Sequence, residues 1–384
     1  MPRYPEVNRC IALLGARVYS TLAQRAEDSG QPLYPLHIGD TYTEPALGCR
    51  MQDLSVDELP GLHRYAPVAG LPELRQAIAL DYNHQMSSEI GAQQVLVTAG
   101  ATGGLSACVA ALVEPGDEVL LLAPYWPLIA GIVTSHSGVP VAVAAHDVQQ
   151  NVSGLLERLE AACTARTVAL YLNTPNNPTG CVYSRAWLQA VADWAEKKGL
   201  WIFSDEVYAS YVYEGQHVSM RELCPERSIV VHSFSKTYGM AGNRVGFLVA
   251  DADVITAVNK ISTHTVYCAP KASQVAALRA LGGAGGAWVE QMRESYRRTG
   301  QAAAKRLGLA PAQGSTFLFF DVAAQLDQRG LLGLLQDAAD RGVLVAPGAS
   351  FGPGYDTYLR VCFTSAPPSH VLQGVDLLAQ LLGR

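Results

Sequence analysis

The sequence is poor in charge and lacks the residue spacings that are typical of metal sites. Only 16% of its 384 residues are charged, and the net charge of −6 is spread without a basic stripe. This argues against nucleic acid as a partner, because phosphate backbones are bound by clustered Lys and Arg. The eight cysteines form no C-x-x-C pair and the nine histidines no H-E-x-x-H. We therefore expect neither a metal site nor a disulfide framework.

Long hydrophobic runs are also missing. No stretch approaches the roughly 18 consecutive apolar residues of a membrane-spanning helix. The short apolar run Ile11 to Leu14 is interrupted at once by Gly15 and Arg17, unlike the core of a signal peptide. These features predict no membrane partner and a cytoplasmic location. The length and the hydrophobic content of 49% favour one large domain with a smaller one.

From about residue 95 the chain alternates between apolar strands and helices. The predicted strands are 95–98, 118–123, 141–145, 167–172, 201–204 and 229–232, and the predicted helices between them are 102–113, 127–135, 153–162 and 184–198. This alternation is typical of a mostly parallel sheet with helices on both faces. Ligands of such sheets bind at the carboxyl ends of the strands.

Helical spacing predicts a helix at 7–28, on Ile11, Leu14, Val18 and Leu22, and a second at 71–90. After residue 250 the strands become fewer. Helices are predicted at 252–262, 270–283, 286–307, 330–341 and 369–382, and strands at 316–321, 343–346 and 358–363. We therefore predict an N-terminal helix and segment at 1–44 that joins the small domain, a large domain at 45–275 and a small α/β domain at 276–384.

The stretch Ser233-Phe-Ser-Lys236 places a lysine between the apolar runs 229–232 and 245–249, where we expect a loop. A lysine near apolar walls and a second cation loses its charge readily, and a neutral amine forms a Schiff base with a carbonyl. Arg244, with Ser233 and Ser235, is suited to hold a phosphate. These groups match pyridoxal 5'-phosphate. The plainer interpretation of Lys236 is a solvated surface residue.

Three other strand ends carry groups that suit the same ligand. Ala101 and Thr102 lie in a small-residue turn that opens a helix, and a helix N-terminus favours phosphate. The glycines there lack the G-x-G-x-x-G spacing of nicotinamide enzymes. Trp126 can stack on a flat ring or pack in the core. Asn177 can donate to a phenolic oxygen or simply form a turn.

Asp205 follows a very apolar strand. A carboxylate buried there needs a cation, and a protonated pyridine nitrogen is such a partner. Tyr208, three residues further on, can share the phenolic oxygen of the ring with Asn177. Without such a ligand, Asp205 is better explained as a helix cap.

Together these motifs resemble the class I/II aminotransferases, the aspartate-aminotransferase-like branch of PLP fold type I. The resemblance runs from about Leu36 to Phe363. It rests on Tyr65-Ala-Pro-Val-Ala-Gly-Leu-Pro-Glu-Leu-Arg75, Asn177-Pro-Thr-Gly180, Asp205-x-x-Tyr208, Ser233-x-Ser-Lys236 and Arg244. It implies an α/β fold, with a mostly parallel seven-stranded sheet in the large domain and a small α/β domain.

The resemblance also implies roles. Lys236, Asp205 and Tyr208 would be catalytic, with Lys236 forming the Schiff base and moving the proton. The implied cofactor-binding residues are Tyr65, Ala101, Thr102, Trp126, Asn177, Asp205, Tyr208, Ser233, Ser235, Lys236 and Arg244. The implied substrate-binding residues are Gly39, Trp126, Asn177 and Arg360, with Arg360 on the α-carboxylate. Tyr65 would come from a second subunit, which implies a homodimer with shared active sites.

The implied reaction moves an amino group from an L-amino acid to a 2-oxo acid. The alternative is β- or γ-elimination or cyclisation on the same scaffold, because these reactions begin with the same proton loss. One feature departs from the family pattern: Gly39 is followed by Asp40-Thr-Tyr42 instead of Glu or Gln and then Pro. This difference leaves the substrate class open. No arginine can be assigned to a second carboxylate, so aspartate is not supported as the donor.

Overall fold

The computed structural model describes residues 7–14, 19–86, 89–149 and 151–384. Within these ranges the strands are β1 Tyr34–Pro35, β2 Val95–Thr98, β3 Glu118–Ala123, β4 Val139–Ala144, β5 Thr167–Asn173, β6 Trp201–Asp205, β7 Ser228–Ser233, β8 Gly246–Val249, β9 Phe317–Asp321, β10 Val343–Leu344, β11 Ala346–Pro347 and β12 Tyr358–Cys362. The α-helices are α1 Tyr19–Asp28, α2 Pro72–Met86, α3 Gly100–Leu112, α4 Leu128–Ser135, α5 Val152–Ala162, α6 Arg185–Lys198, α7 Met220–Leu223, α8 Phe234–Thr237, α9 Ala252–Thr265, α10 Lys271–Arg279, α11 Gly285–Arg306, α12 Gly330–Ala339 and α13 Pro368–Leu381.

The central sheet has seven strands in the order β2-β8-β7-β6-β5-β3-β4. Neighbouring strands are parallel except around β8, which is antiparallel to both β2 and β7. The middle strands are apolar along almost their whole length because helices cover both faces of the sheet. The prediction of a mostly parallel seven-stranded sheet is confirmed.

Two small sheets lie outside the central one. Strands β11, β12 and β9 form an antiparallel sheet, and β1 pairs in parallel with β10. One hydrophobic core joins Leu22 and Leu36 to side chains of α11, α12 and α13. The N-terminal segment therefore packs against the C-terminal part of the chain. The domain boundaries at 44/45 and 275/276 stay predictions.

The prediction of a single helix over 7–28 is wrong for the part of it that the structure describes. A 3₁₀ helix spans Arg9–Leu13. Asn8 caps its start, because its side chain accepts from the amide of Cys10, and the helix ends where the backbone becomes extended at Leu14. Helix α1 then begins at Tyr19. Residues 15–18, which include Val18, lie outside the described residues. The second N-terminal helix is described as far as Met86, and residues 89 and 90 are not helical, although the prediction extended to residue 90. Residues 87 and 88 lie outside the described residues.

The segment around Lys236 also differs from the prediction. It is the one-turn helix α8 instead of a loop. Ser233 caps this turn, because its Oγ accepts a hydrogen bond from the amide of Ser235 over 3.1 Å. Serine is a favoured residue directly before a helix. The Ser233-x-Ser-Lys236 motif therefore contains the residue that starts the helix. None of the helices in the described ranges has the length and apolar character needed to cross a bilayer.

Candidate active site

A cavity of about 140 Å³ lies where β5, β6 and β7 end and α3 begins. It is lined by Ala101, Thr102, Trp126, Asn173, Asn177, Asp205, Val207, Tyr208, Ser233, Ser235, Lys236, Ala241 and Arg244. The structure thus brings together every residue proposed for the cofactor except Tyr65. Parallel strands end on one edge of a sheet, which is why residues so far apart in sequence meet here.

Lys236 projects from α8 into this cavity. Its Nζ donates to the carbonyl oxygen of Gly39 over 2.5 Å. Burial lowers the pKa of Lys236, and the positive charges of Arg360 and Arg244 lower it further, while the carboxylate of Asp40 raises it. The amine is therefore closer to neutral than that of an exposed lysine, as a nucleophile or base requires.

Asp205 ends β6 and is only 4% exposed. Its Oδ2 accepts from the hydroxyl of Tyr171 over 2.8 Å, and its Oδ1 accepts from the amide of Val207 over 3.4 Å. Burial raises the pKa of Asp205 to about 6, against the lowering effects of Tyr171, the Val207 amide and Lys236. A cation placed beside this carboxyl group would favour its ionised form.

Two polar residues of β5 that were not predicted from the sequence contact Asp205. Tyr171 makes the hydrogen bond just described, and Asn173 Nδ2 donates to the backbone oxygen of Asp205 over 2.7 Å. The signal for Tyr171 was its hydroxyl within a continuous apolar strand, because a buried tyrosine oxygen needs a polar partner. Nothing in the local pattern identified Asp205 as that partner.

The other end of the cavity is cationic. Gly100, the first residue of α3, has a φ of +72°, and a Cβ there would lie 2.5 Å from Nη2 of Arg244. Glycine therefore allows the guanidinium to approach the N-terminus of α3. Thr102, Ser233 and Ser235 line the same space. A cation, a helix N-terminus and several hydroxyls together suit a phosphate group.

Arg360 of β12 lies beside the cavity and is buried. Its Nη1 donates to Oδ1 of Asn177 over 2.9 Å, and its Nη2 donates to the backbone oxygen of His37 over 2.6 Å. The guanidinium carbon lies 4.3 Å from the centre of the Phe317 ring and 4.9 Å from that of Phe351. The side chain is thus held between two rings, next to a lining residue of the cavity.

Two predicted residues take other positions. Gly39 lines a small adjoining cavity together with Lys236, and its carbonyl oxygen is the lysine's partner. Tyr65 is 81% exposed, away from the cavity of its own chain, and its ring lies edge-on to Tyr267 with 4.9 Å between centroids. In the described part of the chain, no group of His, Cys, Asp or Glu side chains is arranged to hold a metal ion.

Known proteins share both the sequence and this architecture. The family model described as Aminotransferase class I and II matches residues 36–376. An aspartate aminotransferase from Streptomyces avermitilis is 36% identical over 344 residues, which are 84% of this chain and 82% of the relative. An asparagine–oxo-acid transaminase from Streptococcus mutans is 32% identical, covering 75% of this chain and 76% of the relative.

A solved structure extends this similarity to the whole fold. A double mutant of Thermus thermophilus aspartate aminotransferase superposes with a TM-score of 0.89 at 28% identity, covering 98% of this chain and 100% of that one. The protein therefore has PLP fold type I and is an aminotransferase with amino acid and oxo acid substrates. The elimination or cyclisation alternative is not favoured. The chain belongs to the class I and II aminotransferases.

Proposed function

We propose that this aminotransferase binds pyridoxal 5'-phosphate in the cavity and that Lys236 supplies the amine for the aldehyde of the cofactor. The reaction then moves an amino group from an L-amino acid to a 2-oxo acid. One observation carries the proposal: a single cavity joins half-buried Lys236, buried Asp205 and the guanidinium of Arg244. These three groups suit the aldehyde, the ring nitrogen and the phosphate of the cofactor respectively.

The residues present fit the cofactor at both ends. Asp205 accepts hydrogen bonds from a phenol and a backbone amide, and neither donor carries a charge. A protonated ring nitrogen would supply the positive charge that a buried carboxylate needs. At the other end, Arg244 approaches the start of α3 beside Ser233 and Ser235, which suits a phosphate. Ala101 and Thr102 would hold it by their position in the first turn of α3.

The remaining lining residues suit the faces and edge of the ring. Trp126 would stack on it, and Asn177 and Tyr208 would hold its phenolic oxygen. Burial raises the pKa of Tyr208 strongly, so its hydroxyl stays a donor at neutral pH.

When bound, the cofactor supplies a ring that withdraws electrons from the α-carbon of the substrate. Lys236 Nζ, whose neutral form is favoured by burial, removes the proton from that carbon as a general base. Its contact with the Gly39 carbonyl holds the amine beside the adjoining cavity, which both residues line. Asp205, Tyr208 and Lys236 are thus the proposed catalytic residues.

Arg360 is the proposed partner of the α-carboxylate of the substrate. A guanidinium binds a carboxylate with two parallel hydrogen bonds. The rings of Phe317 and Phe351 and the acceptors on Asn177 and His37 hold this guanidinium in one orientation. Gly39 would contribute through its backbone, and Trp126 and Asn177 would contact the substrate from the central sheet.

The proposal includes a homodimer in which the partner subunit's Tyr65 completes each site. This is supported by the exposed pair of rings of Tyr65 and Tyr267, whose centroids lie 4.9 Å apart. A second copy of the chain packed on this pair would remove it from water. We also propose that the enzyme works in the cytoplasm.

The test is covalent capture of the cofactor. Purified protein incubated with pyridoxal 5'-phosphate should turn yellow, and borohydride should then fix the cofactor on one peptide that contains Lys236. Lys236→Ala should lose the fixed label while it retains weak cofactor binding. Lys198→Ala, which removes a surface lysine paired with Glu160, serves as the control and should label normally. Labelling of another lysine, or none, contradicts the proposal.

A second assay separates transamination from elimination. With an amino donor alone, the enzyme should convert its own cofactor to the amine form once and then stop. Addition of a 2-oxo acid should restart turnover. Steady release of ammonia without any oxo acid would instead indicate a lyase.

A further inference from the structure

Tyr171 is a fully buried residue that none of the proposed roles includes. It lies on β5, and β5 pairs in parallel with β6 so that Asn173 is in register with Asp205. Side chains two residues apart on a strand point to the same face of the sheet. Tyr171 therefore shares a face with Asn173, a lining residue of the cavity, and its hydroxyl reaches Oδ2 of Asp205 at 2.8 Å.

We propose that Tyr171 is a positioning residue for Asp205: its hydroxyl orients the carboxylate and stabilises the ionised form that faces a protonated ring nitrogen. The inference rests on the proposed cofactor site. Tyr171 would thus influence cofactor binding only through Asp205, and its phenol would not contact the substrate.

The hydrogen-bond geometry supports this role. The bond from Tyr171 is the shorter of the two to the Asp205 carboxylate, since the amide of Val207 lies 3.4 Å from the other oxygen. Burial and the negative charge of Asp205 raise the pKa of Tyr171 far above its ordinary value. The phenol therefore remains protonated and donates at every working pH. A donor to the charged form of an acid favours that form.

The other charged and titratable groups near Asp205 do not depend on the phenol. Glu206 raises the pKa of Asp205 and Lys236 lowers it. Tyr208 is near enough for the charge of Asp205 to raise the pKa of its hydroxyl. Glu206 is itself held by His217, whose Nε2 lies 2.8 Å from its carboxylate. All these groups remain in a Tyr171→Phe variant. A change in the titration of Asp205 in that variant would therefore report the loss of the Tyr171 hydroxyl.

The test measures binding of pyridoxamine 5'-phosphate to cofactor-free protein as a function of pH. This probe has no aldehyde, so it cannot react with Lys236. Its affinity should fall at acid pH as Asp205 becomes protonated. In Tyr171→Phe the fall should begin about one pH unit higher. Binding should therefore be about fivefold weaker at pH 6, about tenfold weaker below pH 5 and little changed above pH 8.

Two further variants make the result specific. Tyr183→Phe removes the hydroxyl of another buried tyrosine, which stacks on Trp187, and should leave the profile unchanged. In an Asp205→Asn background, Tyr171→Phe should have no additional effect on affinity, because the residue through which it acts has been neutralised. Thermal unfolding of each variant checks that the fold is retained.

The outcomes are distinct. A Tyr171→Phe profile that superposes on that of the wild type overturns the inference and leaves the proposed function intact. An equal loss of affinity in the Asp205→Asn background also overturns it, because Tyr171 would then act independently of Asp205. A wild-type protein that binds no probe at any pH overturns both the inference and the proposed function.

Discussion

Lys236 Nζ donates to the carbonyl oxygen of Gly39 over 2.5 Å, so the helix after β7 is joined to the segment that follows β1. The next residue, Asp40, is near enough for its carboxylate to raise the pKa of Lys236. The loop in which the sequence departs from the family pattern therefore lies beside the proposed reactive amine. We therefore expect the charge of Asp40 to influence the choice of substrate.

Dicarboxylic donors should be poor substrates. Among the described residues that line the cavity and the small one adjoining it, the Lys and Arg side chains are Lys236 and Arg244. Arg360 bonds to the lining residue Asn177. Each of these three cations already has a proposed partner. Asp40 adds a negative charge on the side of Lys236. We expect kcat/KM for aspartate and glutamate to be at least about tenfold below that of the best monocarboxylic donor.

A donor panel scored by spectral change measures this preference. Asp40→Asn should raise activity toward aspartate relative to the monocarboxylic donors. The Streptomyces avermitilis relative is an aspartate aminotransferase. The prediction would be wrong if aspartate were the best donor and Asp40→Asn left the activity toward aspartate unchanged. A cation from elsewhere would then recognise the second carboxylate.

Arg360→Lys should impair substrate binding more than cofactor binding. Lysine cannot form the bidentate contact, and it loses the two ring faces that hold the guanidinium. We expect kcat/KM to fall about 100-fold with cofactor affinity unchanged. Arg227→Lys, whose guanidinium also lies over a ring, that of Trp201 at 5.4 Å, is the control and should retain activity. A similar loss in both variants would contradict the role of Arg360.

Gly100→Ala should weaken cofactor binding about tenfold. The added Cβ would lie 2.5 Å from Arg244 Nη2 and would displace the guanidinium from the start of α3. Gly116→Ala is a matched control, because Gly116 also has a positive φ but no atom within 4 Å of the new Cβ. Both variants carry the backbone strain of about 1 kcal/mol. Only Gly100→Ala should change the dissociation constant of the cofactor, and equal effects would refute the phosphate assignment.

Asp205 should make the cofactor-free protein less stable as pH rises. Burial raises its folded-state pKa from 3.8 to about 6, so the folded protein holds more protons than the unfolded chain in that window. Its contribution to the free energy of unfolding therefore falls by about 2 kcal/mol from pH 4 to pH 7.

Denaturant unfolding at several pH values measures this effect. The free energy of unfolding of Asp205→Asn, taken relative to that of the wild type, should rise by about 2 kcal/mol between pH 4 and pH 7, because asparagine does not titrate. Asp193→Asn, on the exposed face of α6, should follow the wild type throughout. A constant difference between Asp205→Asn and the wild type would mean that Asp205 does not titrate between pH 4 and pH 7.

Tyr65 and Lys236 should complement each other across subunits. Lys236→Ala and Tyr65→Ala homodimers should each have little activity. When the two variant chains are unfolded together and refolded, half of the dimers contain one chain of each kind. In each such mixed dimer, one of the two sites combines an intact Lys236 with the partner's Tyr65. About a quarter of wild-type activity should return. No recovery, or a monomer in sedimentation, would contradict shared sites.

Much of the fold followed from local patterns. The apolar runs that became β3, β5, β6 and β7 were recognisable because strands covered on both faces are apolar along most of their length. The polar residue after each run then marked one edge of the sheet. For this reason the sequence alone could predict that Asp205 and Lys236, which are 31 positions apart in the chain, share one cavity.

Local patterns failed where short-range geometry decided the outcome. The spacing of apolar residues over 7–28 did not reveal that the chain turns extended at Leu14. The Ser233 cap converts the expected loop at Lys236 into a turn of helix through one hydrogen bond. Single bonds of this kind do not alter hydrophobic periodicity, so the periodicity could not predict them.

The contacts that shape the site were decided by tertiary structure alone. Tyr171 meets Asp205 across 34 positions, Asn177 meets Arg360 across 183, and Gly39 meets Lys236 across 197. Residue type determined which groups can donate, accept or carry charge, and strand order along the chain determined which edge they occupy. Which donor reaches which acceptor depends on how the small sheets pack against the central one, and that packing brings together residues too far apart for any local pattern to link.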